Sequence, residues 1–160
     1  MTPEIKVLTE KLLVGLHLEM SVADNQTSEL WRHLMMRRKE IQNNVDGNLI
    51  SLQLYSENYF APFHPANRFI KWAAIEVSGA ENIPENMDLF RLSGGLYAVF
   101  HYVGDPRYGA QTFQYIYGTW LPNSVYELDN RPHFEILGEK YRNNSPDSEE
   151  DIWIPIKPKQ

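Results

Sequence analysis

Glu135 is the residue whose type and surroundings most clearly suggest chemistry. It lies in a largely apolar run, His133-Phe134-Glu135-Ile136-Leu137. If this run is a β-strand, alternation places Glu135 on the same face as His133 and Leu137, opposite Phe134 and Ile136. A carboxylate on a buried face is costly unless it meets a partner or a ligand. Glu135 is therefore either the anchor of a polar site or, if that face is open to solvent, an ordinary surface residue.

Aromatic side chains could form the walls of such a site. The chain has four Trp, nine Tyr and seven Phe, and its net charge of -6 favours cationic ligands. Ring faces beside a carboxylate form a cage for a delocalised cation, and each ring contributes ~0.5–2 kcal/mol. The predicted ligand-binding side chains are Glu135, Gln53, Tyr55, Trp72, Tyr97, Tyr117, Trp120 and Trp153. Tyr117 and Trp120 could equally be core residues, and Trp153 could face outward.

Most other site chemistries lack the residues that they need. The chain has no cysteine, which excludes disulfides, thiolate metal sites and a cysteine nucleophile. His133 and Glu135 match the H-x-E of zinc deaminases, but that site requires a cysteine pair, and no third metal ligand has a recognisable spacing. We therefore expect no metal and no cofactor. The chain is acidic and has one basic cluster, Arg37-Arg38-Lys39, so direct binding to nucleic acid is not expected either.

The N-terminal residues and the hydropathy of the chain indicate its cellular location. Met1-Thr2-Pro3-Glu4-Ile5 is not a basic segment followed by an apolar one, so no signal peptide is predicted. No apolar run approaches the ~20 residues of a membrane helix. Together with the absence of cysteine, this favours a cytoplasmic protein without membrane contact. The length of 160 residues fits a single domain, residues 1–160.

The elements that would position Glu135 occur twice along the chain, in halves of about 1–80 and 81–160. A strand, an amphipathic helix and two further strands are predicted at 13–20, 26–45, 49–55 and 69–77, and again at 96–103, 105–122, 132–137 and 151–156. Gln53 and Trp72 then correspond to Glu135 and Trp153. Two such halves side by side predict an α+β fold with one antiparallel sheet, both helices on one face and a central cleft between the helices.

The helices are predicted from their apolar spacing. Leu30, Trp31, Leu34, Ile41 and Val45 form the apolar side of the first helix. The second helix opens at Asp105-Pro106 and carries a stripe of Phe113, Ile116, Tyr117 and Trp120. We expect Phe113 and Ile116 to pack on the sheet and Trp120 to border the cleft.

Four runs in the second half resemble one family, the GyrI-like or AraC-type effector-binding domains of bacterial transcription activators. They are Leu96–Gly104, Gly118–Ser124, Arg131–Glu135 and Ser148–Ile156. The resemblance is strong over residues 90–157 and rests on the repeat over residues 1–80. It implies a binding domain for a lipophilic small molecule, cationic or aromatic, that senses or sequesters its ligand. The family's usual anchoring carboxylate maps onto Glu135, whereas the Tyr that many relatives carry two residues later is Leu137 here.

The resemblance also implies the partners and the rival functions. Family members occur fused to DNA-binding domains of multidrug-responsive regulators and as stand-alone proteins. The length leaves no room for a helix-turn-helix, so we expect a stand-alone member that acts on its ligand or through a regulator protein. Some relatives are hydrolases of electrophilic compounds, and Glu135 could then be a general base with Tyr97 or Tyr117 as proton donor. A protein-inhibition module of the gyrase-inhibitor type is the third hypothesis.

Overall fold

The computed structural model describes all 160 residues, Met1–Gln160. The strands are β1 (Glu4–Leu8), β2 (Lys11–Ser21), β3 (Asn44–Leu54), β4 (Arg68–Val77), β5 (Asp88–Leu92), β6 (Gly95–Val103), β7 (Tyr126–Leu128), β8 (His133–Leu137) and β9 (Glu149–Pro158). Helix α1 (Thr27–Arg37) ends in a 3-10 turn (Arg38–Glu40). The second helical segment, residues 106–123, comprises a 3-10 turn (Pro106–Tyr108), α2 (Ala110–Tyr115), a π-helical turn (Ile116–Trp120) and α3 (Leu121–Asn123). Neither segment has the length and hydrophobicity of a membrane span.

The strands form one antiparallel sheet in the order β1-β6-β9-β8-β3-β4-β2-β5, with β7 added beside β9. The β8–β3 pair lies at the centre, and the two halves extend from it in opposite directions. The predicted α+β fold, with its pseudo-symmetric halves and single antiparallel sheet, is confirmed. Three short strands, β1, β5 and β7, were not predicted from the sequence, and β1 and β5 are exchanged between the halves. β1 pairs with β6 of the second half, and β5 pairs with β2 of the first half.

Both helical segments cover the same face of the sheet. Residues that face each other in neighbouring antiparallel strands point to the same side. Ala73, Ser51, Glu135, Ile152 and Phe100 form such a row across five strands. Ala73 packs beneath α1, and Ile152 and Phe100 pack beneath the second segment. The row therefore defines the helix face, and Glu135 lies at its middle.

The opposite face contains a core without helices. The row Trp72, Leu52, Phe134, Trp153 and Val99 lies there. One cluster joins this row to side chains of the edge strands, including Leu8 and Leu92. Edge and centre can meet on one side only if the sheet curls, so the sheet forms a half-barrel around this core.

Helix α1 is shorter than its apolar spacing predicted. It ends at Arg37, and the chain is extended again at Ile41. Asn43 adopts a positive φ of 63°, which interrupts helical geometry, and β3 begins at Asn44. Ile41 is still buried against α1, whereas Val45 is an exposed strand residue. The extended segment after the helix thus places Ile41 in the same core that the predicted longer helix would have reached.

Candidate ligand-binding site

A cavity of about 810 Å³ lies on the helix face, beside the second helical segment. This volume is typical of a small-molecule site. Its floor is formed by β3, β4 and β8, and one wall is the long connection between β3 and β4. We call this cavity the aromatic lobe, because its lining includes Tyr55, Tyr59, Phe60, Phe63, Phe69, Phe113 and Tyr117.

The floor of the aromatic lobe carries four polar side chains in adjacent positions. The register sets Lys71, Gln53 and His133 side by side on three strands, and Glu135 follows His133 on the same face. Gln53 joins the two charged groups. With its amide oriented to satisfy both neighbours, Gln53 donates to Glu135 Oε2 at 3.1 Å and accepts from Lys71 Nζ at 2.5 Å. The pseudo-symmetry partners Gln53 and Glu135 thus meet at the centre, as predicted.

Burial destabilises the charged forms of Glu135 and Lys71 on this floor. Desolvation raises the pKa of Glu135, opposed by the positive charge of Lys71 and the Gln53 hydrogen bond. Desolvation lowers the pKa of Lys71, opposed by the negative charges of Glu135 and Glu150. Lys71 contacts Glu135 only through the amide of Gln53, because the two side chains form no direct ion pair. One side of the Glu135 carboxylate is therefore open to the cavity.

The rings around this floor pack in edge-to-face and tilted arrangements and carry no charge. Tyr55 meets His133 at 4.9 Å between centroids, and Phe60 meets Tyr117 at 5.2 Å. A hydrogen bond of 3.1 Å joins the Tyr117 hydroxyl to Nδ1 of His133. Burial lowers the pKa of His133 to about 3 and raises the pKa of Tyr117, so both are neutral near pH 7. The walls consequently offer ring faces without a positive charge that would oppose a cation.

A second cavity of about 620 Å³ adjoins the first and shares Thr27, Lys71, Phe113 and Glu135 with it. We call it the polar lobe. Its other lining residues include Trp31, Arg32, Met35 and Ser51, with Tyr141, Asn143 and Glu150. Burial and the nearby negative charge of Glu135 raise the pKa of Glu150 to about 7. Glu150 receives no hydrogen bond from the protein, so its carboxylate is free.

Four of the eight predicted site residues line the aromatic lobe: Gln53, Tyr55, Tyr117 and Glu135. The other four do not, which corrects the prediction. Trp72, Tyr97 and Trp153 lie in the core on the opposite face of the sheet. Trp120 packs against Phe100 and Tyr126, at 5.2 and 6.4 Å between ring centroids.

The stripe on the second helical segment follows our expectation except at Trp120. Ile116 is fully buried against the sheet, as expected. Phe113 packs on the same cluster, as expected, and also borders the cavity. Trp120, which was expected at the cleft, packs on the sheet side instead. The π-helical turn at Ile116–Trp120 accounts for the position of Trp120, because a wider turn changes the angle between successive side chains around the helix axis.

Several lining residues were not predicted from the sequence. Lys71 could have been found by the reasoning applied to Glu135, because it is a charged residue within the apolar run Ile70-Lys71-Trp72. Tyr59, Phe60 and Phe63 lie in an irregular connection, where no periodicity indicates which way a side chain points.

A family model, the GyrI-like small molecule binding domain, matches residues 1–157. The chain belongs to the GyrI-like small molecule binding domain family. The match covers both halves, including residues 1–80, where the sequence resemblance rested on the repeat. No curated protein matched this GyrI-like domain in a sequence search.

Solved structures share the fold at low sequence identity. SAV2435 bound to tetraphenylphosphonium is 17% identical, with a TM-score of 0.76 over 98% of this chain and 94% of that chain. The EcmrR C-terminal domain is 11% identical, with a TM-score of 0.73 over 98% of both chains. A hydrolase encoded by lin2189 from Listeria innocua is 13% identical, with a TM-score of 0.59 over 98% of this chain and 92% of that chain. These likenesses establish the fold.

Proposed function

We propose that this GyrI-like domain binds a lipophilic aromatic cation in the aromatic lobe, with Glu135 as the countercharge, and thereby senses or sequesters it. The observation that carries the proposal is a carboxylate without a direct ion pair on the floor of a cavity walled by neutral rings. A cation at this point would gain both the carboxylate and the ring faces.

The charge balance of the cleft supports a cation. Glu135 and Glu150 both border it, and Lys71 is the only cationic residue on its floor, since His133 is neutral near pH 7. Arg32, at the rim of the polar lobe, is mostly exposed and is bound to Glu29 at 2.6 Å. When both carboxyl groups are ionised, they face a single ammonium and the cleft lacks one positive charge, which agrees with the raised pKa of both groups. A bound monocation would supply that charge.

The structural neighbour SAV2435, which was solved with tetraphenylphosphonium, supports the same class of ligand. The hydrolase hypothesis receives less support from the geometry. Tyr97, one of its two candidate proton donors, lies on the other face of the sheet and donates to the carbonyl of Pro132 at 2.7 Å. The hydroxyl of Tyr117, the second candidate, is engaged with His133.

Three probes of similar shape and different charge test the proposal: tetraphenylphosphonium, tetraphenylborate and neutral triphenylphosphine oxide. We expect the phosphonium alone to raise the melting temperature strongly. At one hundred times its dissociation constant it would contribute ~2.7 kcal/mol, which corresponds to roughly 5–11 °C for a chain of this size. A melting temperature raised equally by all three probes, or most by the borate, would contradict a cation site.

Glu135→Gln identifies the countercharge. It should weaken phosphonium binding by roughly 10- to 100-fold in calorimetric titration. The phosphonium has no N–H to donate, so the lost interaction is coulombic, and opposite charges ~6–8 Å apart in a partly buried site attract each other by about 2–3 kcal/mol. Affinity for the neutral oxide should not change. Glu127→Gln is the matched control, since Glu127 lies outside the cavity and faces Lys157 at 3.9 Å. Equal phosphonium affinity in the two variants would remove Glu135 as the anchor.

A further inference from the structure

The two lobes of the cleft are pseudo-symmetric copies of one another. The aromatic lobe lies between the β3–β4 connection and the second helical segment, and the polar lobe lies between the β8–β9 connection and α1. The register keeps the correspondence, because Gln53 faces Lys71 as Glu135 faces Ile152. On β4, Phe69 stands two residues before Lys71 and lines the aromatic lobe. On β9, Glu150 stands two residues before Ile152 and lines the polar lobe. The same place is thus a ring in one lobe and a carboxylate in the other.

Glu150 points into the polar lobe while its neighbours point away. Glu149 and Asp151 lie on the opposite face of β9, and both bind the ring of His101 at 2.7 Å. Glu150 alternates to the helix face, where it is half-buried and receives no protein hydrogen bond. A half-buried carboxylate without a partner is costly in the empty protein. A ligand that supplies a donor would remove that cost.

The carboxylates of Glu135 and Glu150 are close enough for one ligand to reach both. Glu135 faces Ile152, so Glu150 occupies the diagonal position on the neighbouring strand. Diagonal neighbours of an antiparallel pair lie ~7–8 Å apart. A short alkyl chain between two amino groups spans such a separation. Lys71 borders both lobes, and in the empty protein its positive charge attracts both carboxylates.

We propose that the polar lobe is a second subsite for an ammonium group, so that the preferred ligands of the cleft are aryl-substituted diamines. The aryl ring occupies the aromatic lobe, the first nitrogen meets Glu135, and the second nitrogen meets Glu150. This inference rests on the proposed function, because it takes the aromatic lobe as the site of the ring. Tyr141 and Asn143 line the same lobe and offer oxygen acceptors to the remaining N–H groups.

The other charged groups are compatible with this ligand. Arg32 on α1 is turned toward Glu29 at the rim. Lys71 is the one cation that the second ammonium would face directly. Burial already lowers the pKa of Lys71, and the approach of a second positive charge favours its neutral form further. The diamine then replaces Lys71 as the countercharge of the carboxylates.

A matched pair of probes tests the second subsite: N-benzyl-1,3-diaminopropane and N-butylbenzylamine, in which a methyl group replaces the terminal ammonium. Calorimetric titration at constant ionic strength should show the diamine binding on the order of 10- to 100-fold more tightly. Glu150→Gln should abolish this preference and leave the affinity for the monoamine nearly unchanged. Glu149→Gln is the control, because the neighbouring carboxylate faces away from the cleft; it should retain the preference.

The outcomes separate this inference from the proposed function. If the monoamine binds, Glu135→Gln weakens it and the diamine has no advantage, the second subsite is refuted while the cation site stands. The subsite is also refuted if the diamine fails to bind, or if Glu150→Gln weakens both probes equally. If Glu135→Gln leaves the monoamine and tetraphenylphosphonium unaffected, the proposed function itself fails.

Discussion

Replacing Glu150 by Gln should stabilise the empty protein above neutral pH. The carboxyl group has a pKa of about 7 in the folded protein, against an ordinary value of 4.5. The folded state therefore holds the Glu150 proton more tightly than the unfolded state does. As the pH rises from 4.5 to 7, the wild-type protein loses stability, because the unfolded chain ionises first. The glutamine amide of the variant has no proton to lose in this range, so the variant escapes this loss.

The size of the effect follows from the two pKa values. Their difference corresponds to about 3 kcal/mol, at ~1.36 kcal/mol for each pH unit. Glu150 is only half-buried, and water in the polar lobe can solvate its charge. We therefore expect a gain of about 1–3 kcal/mol at pH 8, or roughly 2–12 °C in melting temperature. Below pH 4.5 the group is protonated in both states, so the gain should vanish.

Urea unfolding from pH 4 to 8 measures this gain as the shift of the unfolding midpoint between the variant and the wild type. Glu149→Gln is a control of opposite sign, because the His101 hydrogen bond lowers the pKa of Glu149. That variant should lose stability at neutral pH. A difference between Glu150→Gln and the wild type that does not depend on pH would refute the reasoning. So would a variant less stable than the wild type at pH 8, because Glu150 would then have a stabilising partner in the fold.

Four further substitutions test the fold. Gly15→Ala should destabilise the protein by about 1–3 kcal/mol or more in denaturant unfolding, because a Cβ on β2 would overlap a backbone carbonyl of β4. Gly118→Ala should be neutral or stabilising, because a Cβ at this position of the helical segment would contact no other atom. His101→Gln should lower the free energy of unfolding at pH 5–6, by up to about 1 kcal/mol. The effect should be smaller at pH 9. Two carboxylates of β9 raise the pKa of His101, so the stabilisation by its charged form is lost as the pH rises through that pKa. Tyr117→Phe should lower the free energy of unfolding by ~1–3 kcal/mol, because it leaves a ring nitrogen of buried His133 without its partner; an unchanged melting temperature would contradict this.

The fold could be predicted because the chain contains its pattern twice. Each half repeats the order of strand, helix and two strands, and the correspondence of Gln53 with Glu135 predicted their meeting at the centre of the sheet. The exchanged strands β1 and β5 could not be predicted in this way. Each has five residues, which is too short for a clear periodicity, and their pairing depends on the position of the other half.

The site could be predicted only in part, because both faces of the sheet are apolar. Trp72 and Trp153 are equivalent in the repeat, as expected, but alternation alone does not say which face the helices cover. On β4, the side chains of Trp72 and Ala73 point in opposite directions, and both are buried. A strand buried on both sides lacks the polar and apolar alternation that would distinguish the two. Polar residues gave the better signal, since Glu135 and Lys71 each interrupt an apolar run.

The exchange of β1 and β5 has a consequence for how such a protein could have arisen. A single half would have a short strand without a partner and a long strand with a bare edge. Two identical copies related by a twofold axis would satisfy both needs at once, since each copy would lend its short strand to the other. The cleft lies across the same axis and would be divided equally between the copies. Gene fusion of such a dimer would then allow the two lobes to diverge, so that one could keep rings where the other acquired Glu150.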